Sequence, residues 1–126
     1  MKLQNIKFKA KRLDGKGWAI GDLLHSYENG VIIVPTEGGG AFSVDPSTVC
    51  QFTGLKDENG TEIWEHDILK NHPMTNEVIL RNGSFMIVED YGDDIVEVPL
   101  SNMISGDGVC YLSVISNKFD RQEGEK

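Results

Sequence analysis

The chain has 126 residues, of which 39% are hydrophobic and 25% charged, and its formal net charge is −8. This length and composition are typical of one soluble globular domain that buries a sizeable core. The acidic balance argues against nucleic-acid binding, which depends on cations that neutralise phosphates. No apolar run reaches the roughly 20 residues that cross a bilayer, so we expect no membrane contact.

The beginning of the chain and its cysteines both favour a reducing compartment. The first residues, MKLQN, lack the apolar core of a signal peptide. The two cysteines, Cys50 and Cys110, each stand among apolar residues, which favours reduced, partly buried thiols on strands over a disulfide. We therefore expect a cytoplasmic protein.

Charge is distributed unevenly along the chain. Residues 1–20 contain six cations and one anion, a net charge of +5, whereas residues 21–126 contain six cations and 19 anions, a net charge of −13. A basic segment on an acidic body predicts internal pairing or head-to-tail association between copies. We therefore expect a homo-oligomer that also has an unknown protein partner.

The predicted elements are almost all strands. Residues 6–11 alternate between apolar side chains and Lys7, Lys9 and Lys11, a period of two with one wet face. We expect these lysines on the solvated face of an edge strand, where lysine discourages wrong pairing; contact with a phosphate backbone is the alternative. Further strands are predicted, in chain order, at residues 18–20, 23–24, 31–34, 41–44, 50–53, 63–64, 68–69, 78–80, 85–88, 95–98 and 109–115.

Turn residues separate these strands. Asp45 and Pro46 predict a tight turn with Asp45 as its cap, and Ser101 is expected to cap a short helical turn at 100–104. Other turns or loops are predicted at residues 14–17, 28–30, 37–40, 71–76, 81–84 and 90–94, and a frayed charged tail at 120–126.

About ten short strands with turns every eight to twelve residues predict an all-β fold. We expect one domain, residues 1–126, built as a pseudo-barrel of many short antiparallel strands with at most one or two short helical turns. It would contain a strand group at 3–53, a central motif at 51–70 and a second group at 62–119 whose rhythm is SH3-like.

The central motif is QFTGLKDENGTEIWEHDILK. Asn59 and Gly60 accept positive φ, so a hairpin-type turn is expected there, with Asp57 receiving backbone N–H groups across it. The return strand would bury Ile63 and Trp64. Residues 65–67 then form a second turn.

This stretch resembles the signature of the YopX-like proteins of phages and prophages, which runs close to T-G-L-K-D-K-N-G-K-E-I-Y-E-G-D-I-V. Residues 18–24 are similar to the W-x-x-G-D-L-I segment of that family, and residues 44–54 and 113–117 fit it too, so the resemblance covers most of 3–119. It implies a structural motif and no catalytic or binding residue. The positions that carry it are Trp18, Gly21, Asp22, Gly54, Asp57, Asn59, Gly60, Ile63, Trp64, Glu65 and Asp67.

One position departs from the family pattern. His66 stands where the family usually has glycine, so a side-chain-bearing residue must form the second turn. Histidine tolerates the left-handed region better than most residues do. We expect the turn to be kept, with slight strain.

Residue types that could carry chemistry are present but poorly spaced. The three histidines and two cysteines contain neither C-x-x-C nor H-x-x-x-H, so no metal and no cofactor is expected. Glu65, His66 and Asp67 have the residue types of acid–base catalysis. Neighbours on an extended chain point to opposite faces, so we expect that the three cannot converge without a special turn. The acidic turn from Asp90 to Glu97 is either a solvated turn or a weak calcium site.

Three hypotheses about function remain open. The first is a non-enzymatic phage, prophage or mobile-element protein that acts through protein–protein contacts as an oligomer. The second is an acidic decoy or regulator of a nucleic-acid-binding protein. The third is a small hydrolase-like enzyme that uses Asp67 or His66.

Overall fold

The computed structural model describes residues 2–26, 30–36 and 38–120. Within these ranges the chain forms eleven strands and a few short helical turns, and no helix is long and apolar enough to cross a membrane. The strands are β1 (Phe8–Lys11), β2 (Trp18–His25), β3 (Val31–Val34), β4 (Phe42–Val44), β5 (Cys50–Lys56), β6 (Glu62–Trp64), β7 (Asp67–Asn71), β8 (Met74–Arg81), β9 (Ser84–Asp90), β10 (Ile95–Pro99) and β11 (Ser113–Asn117).

Residue contacts divide the chain into two compact units, Met1–Phe52 (unit 1) and Thr53–Lys126 (unit 2). Strands follow one another antiparallel in both units, so the all-β prediction is confirmed. Closure into a pseudo-barrel, likeness to an SH3 barrel and the single domain stay predictions.

Unit 1 is an antiparallel sheet in the order β4-β3-β2-β1-β5. Ala10 lies opposite Ala19 across the β1–β2 pair, and both side chains point to the same face because directly opposed residues share a face. Together with Ile33 and Val44 they form the buried core of this unit.

The expectation that β1 is an edge strand is wrong. β1 pairs with β2 on one side and with β5 on the other. The turn after β4 brings the chain back to β1: Asp45 donates its N–H to the Lys11 carbonyl at 2.8 Å, and Lys11 donates its N–H to Thr48 Oγ1 at 2.8 Å. Strand order of this kind depends on long-range pairing, which a period-two pattern does not encode.

Unit 2 contains a five-stranded antiparallel sheet in the order β10-β9-β8-β7-β11, and the end of β5 with β6 lies in the same unit. Its core is a cluster of fully or almost fully buried side chains, supplied by strands and by the segment at 100–112. The members of this cluster are Ile63, Leu69, Val78, Ile87, Leu100, Cys110 and Leu112.

The predicted loop at 71–76 is wrong. β7 continues to Asn71 and β8 begins at Met74, so a two-residue turn, His72 and Pro73 with a cis peptide between them, replaces it. Two of the polar residues that suggested a loop, Asn71 and Asn76, are hydrogen-bonded within the sheet. Asn71 donates to Asn76 Oδ1 at 2.8 Å, and the buried Asn76 amide donates to the Val88 carbonyl at 3.0 Å.

Helical turns are more numerous than the one or two expected. Short 3₁₀ turns occupy Leu3–Asn5, Pro46–Thr48 and Leu100–Met103, and residues 118–120 are helical. The first of them buries none of its residues, so no apolar pattern could reveal it. Asp45 caps the second as predicted, by accepting the Ser47 N–H at 3.0 Å. Ser101 does not cap the third, because it lies inside that turn and Pro99 precedes it.

Some predictions fall beyond the described residues. The turn at 28–30 and the glycine-rich tip at 37–40 do so in part, and the frayed tail does so from residue 121 onward. The Arg81–Ser84 turn lies within them and is confirmed, since Asn82 and Gly83 both have positive φ between β8 and β9.

Candidate functional site

The first turn of the central motif is organised by the carboxylate of Asp57, which is 1% exposed. Its Oδ1 accepts the backbone N–H groups of Asn59 and Thr61, both at 2.9 Å, and its Oδ2 accepts that of Val114 at 3.0 Å. Gly60 has a φ of 81° and donates its N–H to the Asp57 carbonyl at 3.0 Å. The predicted role of Asp57 across an Asn-Gly turn is confirmed, and the carboxylate is committed to the fold.

Gly54 and Thr53 align the two strands that lead into and out of this turn. Gly54 has a φ of 86° within β5, a backbone conformation that a side chain would strain. Thr53 Oγ1 donates to the Ile63 carbonyl on β6 at 2.7 Å and accepts the Leu55 N–H at 3.1 Å. Ile63 and Trp64 are buried, as expected.

The second turn of the motif is organised by Asp67, which is 2% exposed. Its Oδ2 accepts the Trp64 N–H at 2.8 Å, and its Oδ1 accepts a hydrogen bond from the Asn117 side-chain amide at 2.9 Å. That amide also donates to the Glu65 carbonyl at 3.4 Å. Asp67 therefore ties its own turn to the last strand of unit 2.

His66 takes the left-handed conformation that the turn requires, with a φ of 71°. Its backbone is held on both sides, because its N–H donates to the Val78 carbonyl at 2.7 Å and its carbonyl accepts the Lys118 N–H at 2.8 Å. The expectation that histidine can replace glycine here is confirmed.

Two substitutions at His66 separate backbone strain from ring contacts. Both His66→Gly and His66→Ala remove the imidazole, but only alanine must hold a positive φ. We expect His66→Ala to unfold with a free energy about 1–2 kcal/mol lower than that of His66→Gly, measured by chemical denaturation. Equal stabilities would show that the turn relaxes away from the left-handed region.

The His66 ring lies between two carboxylates, and we name His66, Glu65 and Glu77 the histidine cluster. Nδ1 is 2.8 Å from Glu77 Oε2 and Nε2 is 3.5 Å from Glu65 Oε2. The Phe119 ring meets the imidazole edge-on, with centroids 5.3 Å apart. The side chains of the cluster keep 20–29% exposure, so it is half-buried and reachable by solvent.

The histidine cluster depends on the special turn that the sequence required for convergence, and it adds one residue. Glu65 and His66 do converge, because the left-handed turn breaks the alternation of an extended chain, whereas Asp67 turns inward to its own partners. Nothing in the sequence pattern indicates that Glu77 belongs to this cluster. It reaches His66 because β8 pairs with β7 in a register that sets Glu77 opposite Ile68, and no local spacing signals that register.

The pKa of Glu77 lies below its usual value. The hydrogen bond with His66 is the largest cause, and the charges of Lys118 and His66 act in the same direction against partial burial. Because folding lowers this pKa, ionised Glu77 stabilises the fold at pH values above about 4.5, its usual pKa. That contribution is lost as the pH falls through the lower pKa of the folded state.

We expect Glu77→Gln to cost stability at neutral pH and progressively less in acid. Urea unfolding of the wild type and the variant across the acidic range measures the difference. A difference that stays constant through the acidic range would contradict the assigned role of the Glu77 charge.

The other predicted motif residues lie on β2. Trp18 carries two lysine ammonium groups over its ring, Lys9 at 4.5 Å and Lys11 at 4.7 Å from the centroid. Asp22 is exposed and lines a cavity of about 550 Å³ together with Leu3, Gln4, Ile6, Lys7 and Thr36. Lys9 and Lys11 of β1 therefore cover the aromatic surface of Trp18, and both are half-buried rather than fully solvated.

Gly21 has a packing role in β2. A Cβ built on it would lie 2.2 Å from the Val34 carbonyl oxygen and 2.7 Å from the Pro35 Cα. Since both are backbone atoms, neither can move without shifting β3.

We therefore expect Gly21→Ala to lower the free energy of unfolding by about 1–3 kcal/mol, measured by thermal or urea denaturation. Gly39→Ala is the matched control, because a Cβ there meets nothing within 4 Å and Gly39 has no positive φ. Equal losses in the two variants would contradict a steric role for Gly21.

The acidic turn is held by neutral donors and one cation. Asp90 Oδ1 accepts the Gly92 N–H at 2.9 Å, and Glu97 Oε1 is 2.9 Å from Arg81 Nε. Within the described residues, no group of three or more His, Cys, Asp or Glu side chains is arranged to hold a metal ion. The two cysteines are buried thiols, and burial raises the pKa of the Cys110 thiol, which disfavours the reactive thiolate.

The family model described as YopX protein matches residues 24–117. The chain belongs to the YopX family. Both turns of the central motif and the last strand lie within the matched range, whereas the Trp18, Gly21 and Asp22 positions precede it. Searches of curated proteins and of solved structures found no match to this chain.

Proposed function

We propose that this member of the YopX family is a non-enzymatic phage or prophage protein that acts in the cytoplasm by binding other protein chains, including copies of itself. The observation that carries the proposal is the state of the two buried carboxylates of the family motif. Asp57 and Asp67 accept hydrogen bonds from within unit 2, so the motif serves the scaffold and leaves recognition to the surface.

Two further features support the proposal. Large apolar side chains stand exposed on strands of both units, among them Ile20, Leu24, Ile95 and Ile115, and such side chains gain free energy when a partner covers them. The buried thiols of Cys50 and Cys110 suit a reducing compartment.

The proposal is tested by the mass of the protein in solution. Sedimentation velocity and light scattering over a wide concentration range are expected to find a species larger than one chain. A strict monomer at every concentration and at low salt would contradict self-association, and the oligomeric part of the proposal would fall.

One observation favours a second function, a small hydrolase-like enzyme. His66 is oriented by Glu77 through a 2.8 Å contact, and a carboxylate that orients an imidazole is the arrangement of a general base. The sequence suggested Asp67 or His66 for such a site; Glu77 meets His66, whereas Asp67 has partners of its own. No comparable observation favours an acidic decoy or regulator of a nucleic-acid-binding protein, and that hypothesis stays a prediction.

The hydrolase alternative is tested with chromogenic acetate and phosphate esters. His66→Gln and Glu77→Gln should both abolish any turnover, while His25→Gln, at an exposed strand end, should leave it unchanged. Turnover that survives in the first two variants, or that is absent from the wild type, would contradict this alternative.

A further inference from the structure

We propose that the acidic hairpin of one copy docks on the basic face of a second copy. The acidic hairpin is the segment 89–96, which joins β9 to β10. The basic face is the surface of unit 1 formed by Lys9, Lys11, Trp18 and Ile20. This inference rests on the proposed self-association and identifies the two surfaces that make it.

The acidic hairpin combines negative charge with exposed apolar area. Residues 89–94 contain four carboxylates and no cation, and the nearest donors to two of them are neutral: the Gly92 N–H lies 2.9 Å from Asp90, and the Tyr91 hydroxyl lies 3.3 Å from Glu89. Ile95 is 67% exposed and Tyr91 is 56% exposed. The hairpin therefore presents an apolar centre within a rim of one charge sign.

The position of the hairpin leaves it open to a partner. β10 stands at the end of the strand order in the sheet of unit 2, and among the described strands it pairs with β9. Both Ile95 and Val96, which point to opposite faces of the strand, are exposed. The core of unit 2 therefore covers neither face of β10 where this strand begins.

The basic face combines positive charge with exposed apolar area in the same way. Lys9 lies opposite Ile20 and Lys11 lies opposite Trp18 across the β1–β2 pair, so the four side chains share one face. Ile20 is 46% exposed, and both ammonium groups lie over the Trp18 ring. Residues 1–20 carry a net charge of +5, which is opposite in sign to the charge of the acidic hairpin.

These two surfaces fit each other better than either fits itself. Two acidic hairpins would repel, as would two basic faces, because like charges brought together without compensation cost free energy. A hairpin on a basic face instead pairs carboxylates with lysines at the rim and covers Ile95 with Ile20 and Trp18 at the centre. The contact uses different surfaces on the two copies, so association is head to tail.

A charge-reversal mixing experiment tests the proposal. One variant carries Asp93→Lys and Asp94→Lys, and the other carries Lys9→Glu and Lys11→Glu. Each variant alone should associate at least about ten-fold more weakly than the wild type, and a one-to-one mixture should regain the mass of the wild-type assembly. Sedimentation velocity at low salt measures all three, and high salt should weaken the wild-type assembly because it screens exposed charges.

Two controls separate docking from folding and from net charge. Glu58→Lys with Asp107→Lys changes net charge as much as the hairpin reversal does, at exposed positions outside the hairpin, and should leave association unchanged. Lys9 and Lys11 pack on Trp18, so their reversal is checked by circular dichroism. Ile20→Ser, which changes no charge, gives a second variant of the same face and should also weaken association.

The outcomes distinguish this inference from the proposed function. A wild-type multimer that persists unchanged in both reversal variants would overturn the docking surfaces and leave self-association standing. Failure of the folded variants to associate on mixing would overturn the docking surfaces as well. A wild-type chain that is monomeric at every concentration overturns the docking surfaces together with self-association. If that monomer binds a short single-stranded DNA and the Lys9→Glu, Lys11→Glu variant does not, the occupant of the basic face is nucleic acid.

Discussion

Asp57→Ala is expected to lower the free energy of unfolding of unit 2 by about 3–5 kcal/mol, because it removes a buried carboxylate that accepts three backbone N–H groups. The N–H groups of Asn59 and Thr61 would lose their partner inside the turn, and that of Val114 would lose the contact that ties the turn to β11. Hydrogen bonds to a charged acceptor contribute about 1.5–3 kcal/mol each, and the three lost here are part-buried. Alanine also removes the hydrogen bonds within the turn, which favour its conformation over other local conformations.

The two tryptophans allow this loss to be assigned to one unit. Trp18 lies in unit 1 and Trp64 in unit 2, so a Trp18→Phe background leaves the buried Trp64 as a fluorescence reporter of unit 2. Chemical denaturation of Asp57→Ala in that background should shift the midpoint strongly. Glu58→Ala is the matched control, since Glu58 is the exposed neighbour and surface substitutions stay within about 0.5 kcal/mol.

An intermediate substitution refines the result. Asp57→Asn keeps one acceptor oxygen but replaces the other with an NH₂ group, which cannot accept a hydrogen bond from the backbone N–H that faces it. The stability of this variant should therefore lie between those of the wild type and Asp57→Ala. If Asp57→Ala unfolds within 1 kcal/mol of the wild type, the N–H groups find water or new acceptors, and Asp57 does not organise the turn.

Local turn chemistry could be predicted from the sequence because its causes are local. Asn59-Gly60 and Asp45-Pro46 each specify a bend through φ preferences and a side-chain acceptor a few residues away, and both bends form. The left-handed conformation of His66 followed from a resemblance, because a family position that usually holds glycine predicts positive φ. These features need no knowledge of strand order.

Long-range register could not be predicted in the same way. Glu77 reaches His66 only because the β7–β8 hairpin turns at His72 and Pro73, and the polar residues around that turn suggested a loop. β1 lies inside its sheet only because β5 returns to it. A period-two pattern assigns faces to a strand, but it does not say which strands lie on either side.

The residues of the candidate site are far apart in the sequence, which is why their spacing did not indicate a site. Acid–base residues are recognised by convergence, and the convergence of His66 with Glu77 spans eleven positions through a register. The buried partner of Asp67, Asn117, lies 50 positions away. Single-sequence spacing finds side chains that meet within a turn, and both of these pairs lie beyond that range.

Asp67→Ala is expected to lower the free energy of unfolding of unit 2 by about 2–4 kcal/mol. It removes the acceptor of the buried Trp64 N–H and the partner of the Asn117 amide, which is itself buried. The measurement is again denaturation followed by Trp64 fluorescence. Lys70→Ala, at an exposed position on the same strand, is the control and should change stability by less than about 0.5 kcal/mol.

A double-mutant cycle shows whether Asp67 and Asn117 act together. Asn117 also accepts the Phe119 N–H and donates to the Glu65 carbonyl, so it joins the second turn to the segment that contacts the histidine cluster. We expect the losses in Asp67→Ala and Asn117→Ala to be non-additive, with a coupling free energy of about 1–3 kcal/mol. Additive losses would mean that each side chain stabilises its own segment separately, Asp67 through the Trp64 N–H and Asn117 through its other partners.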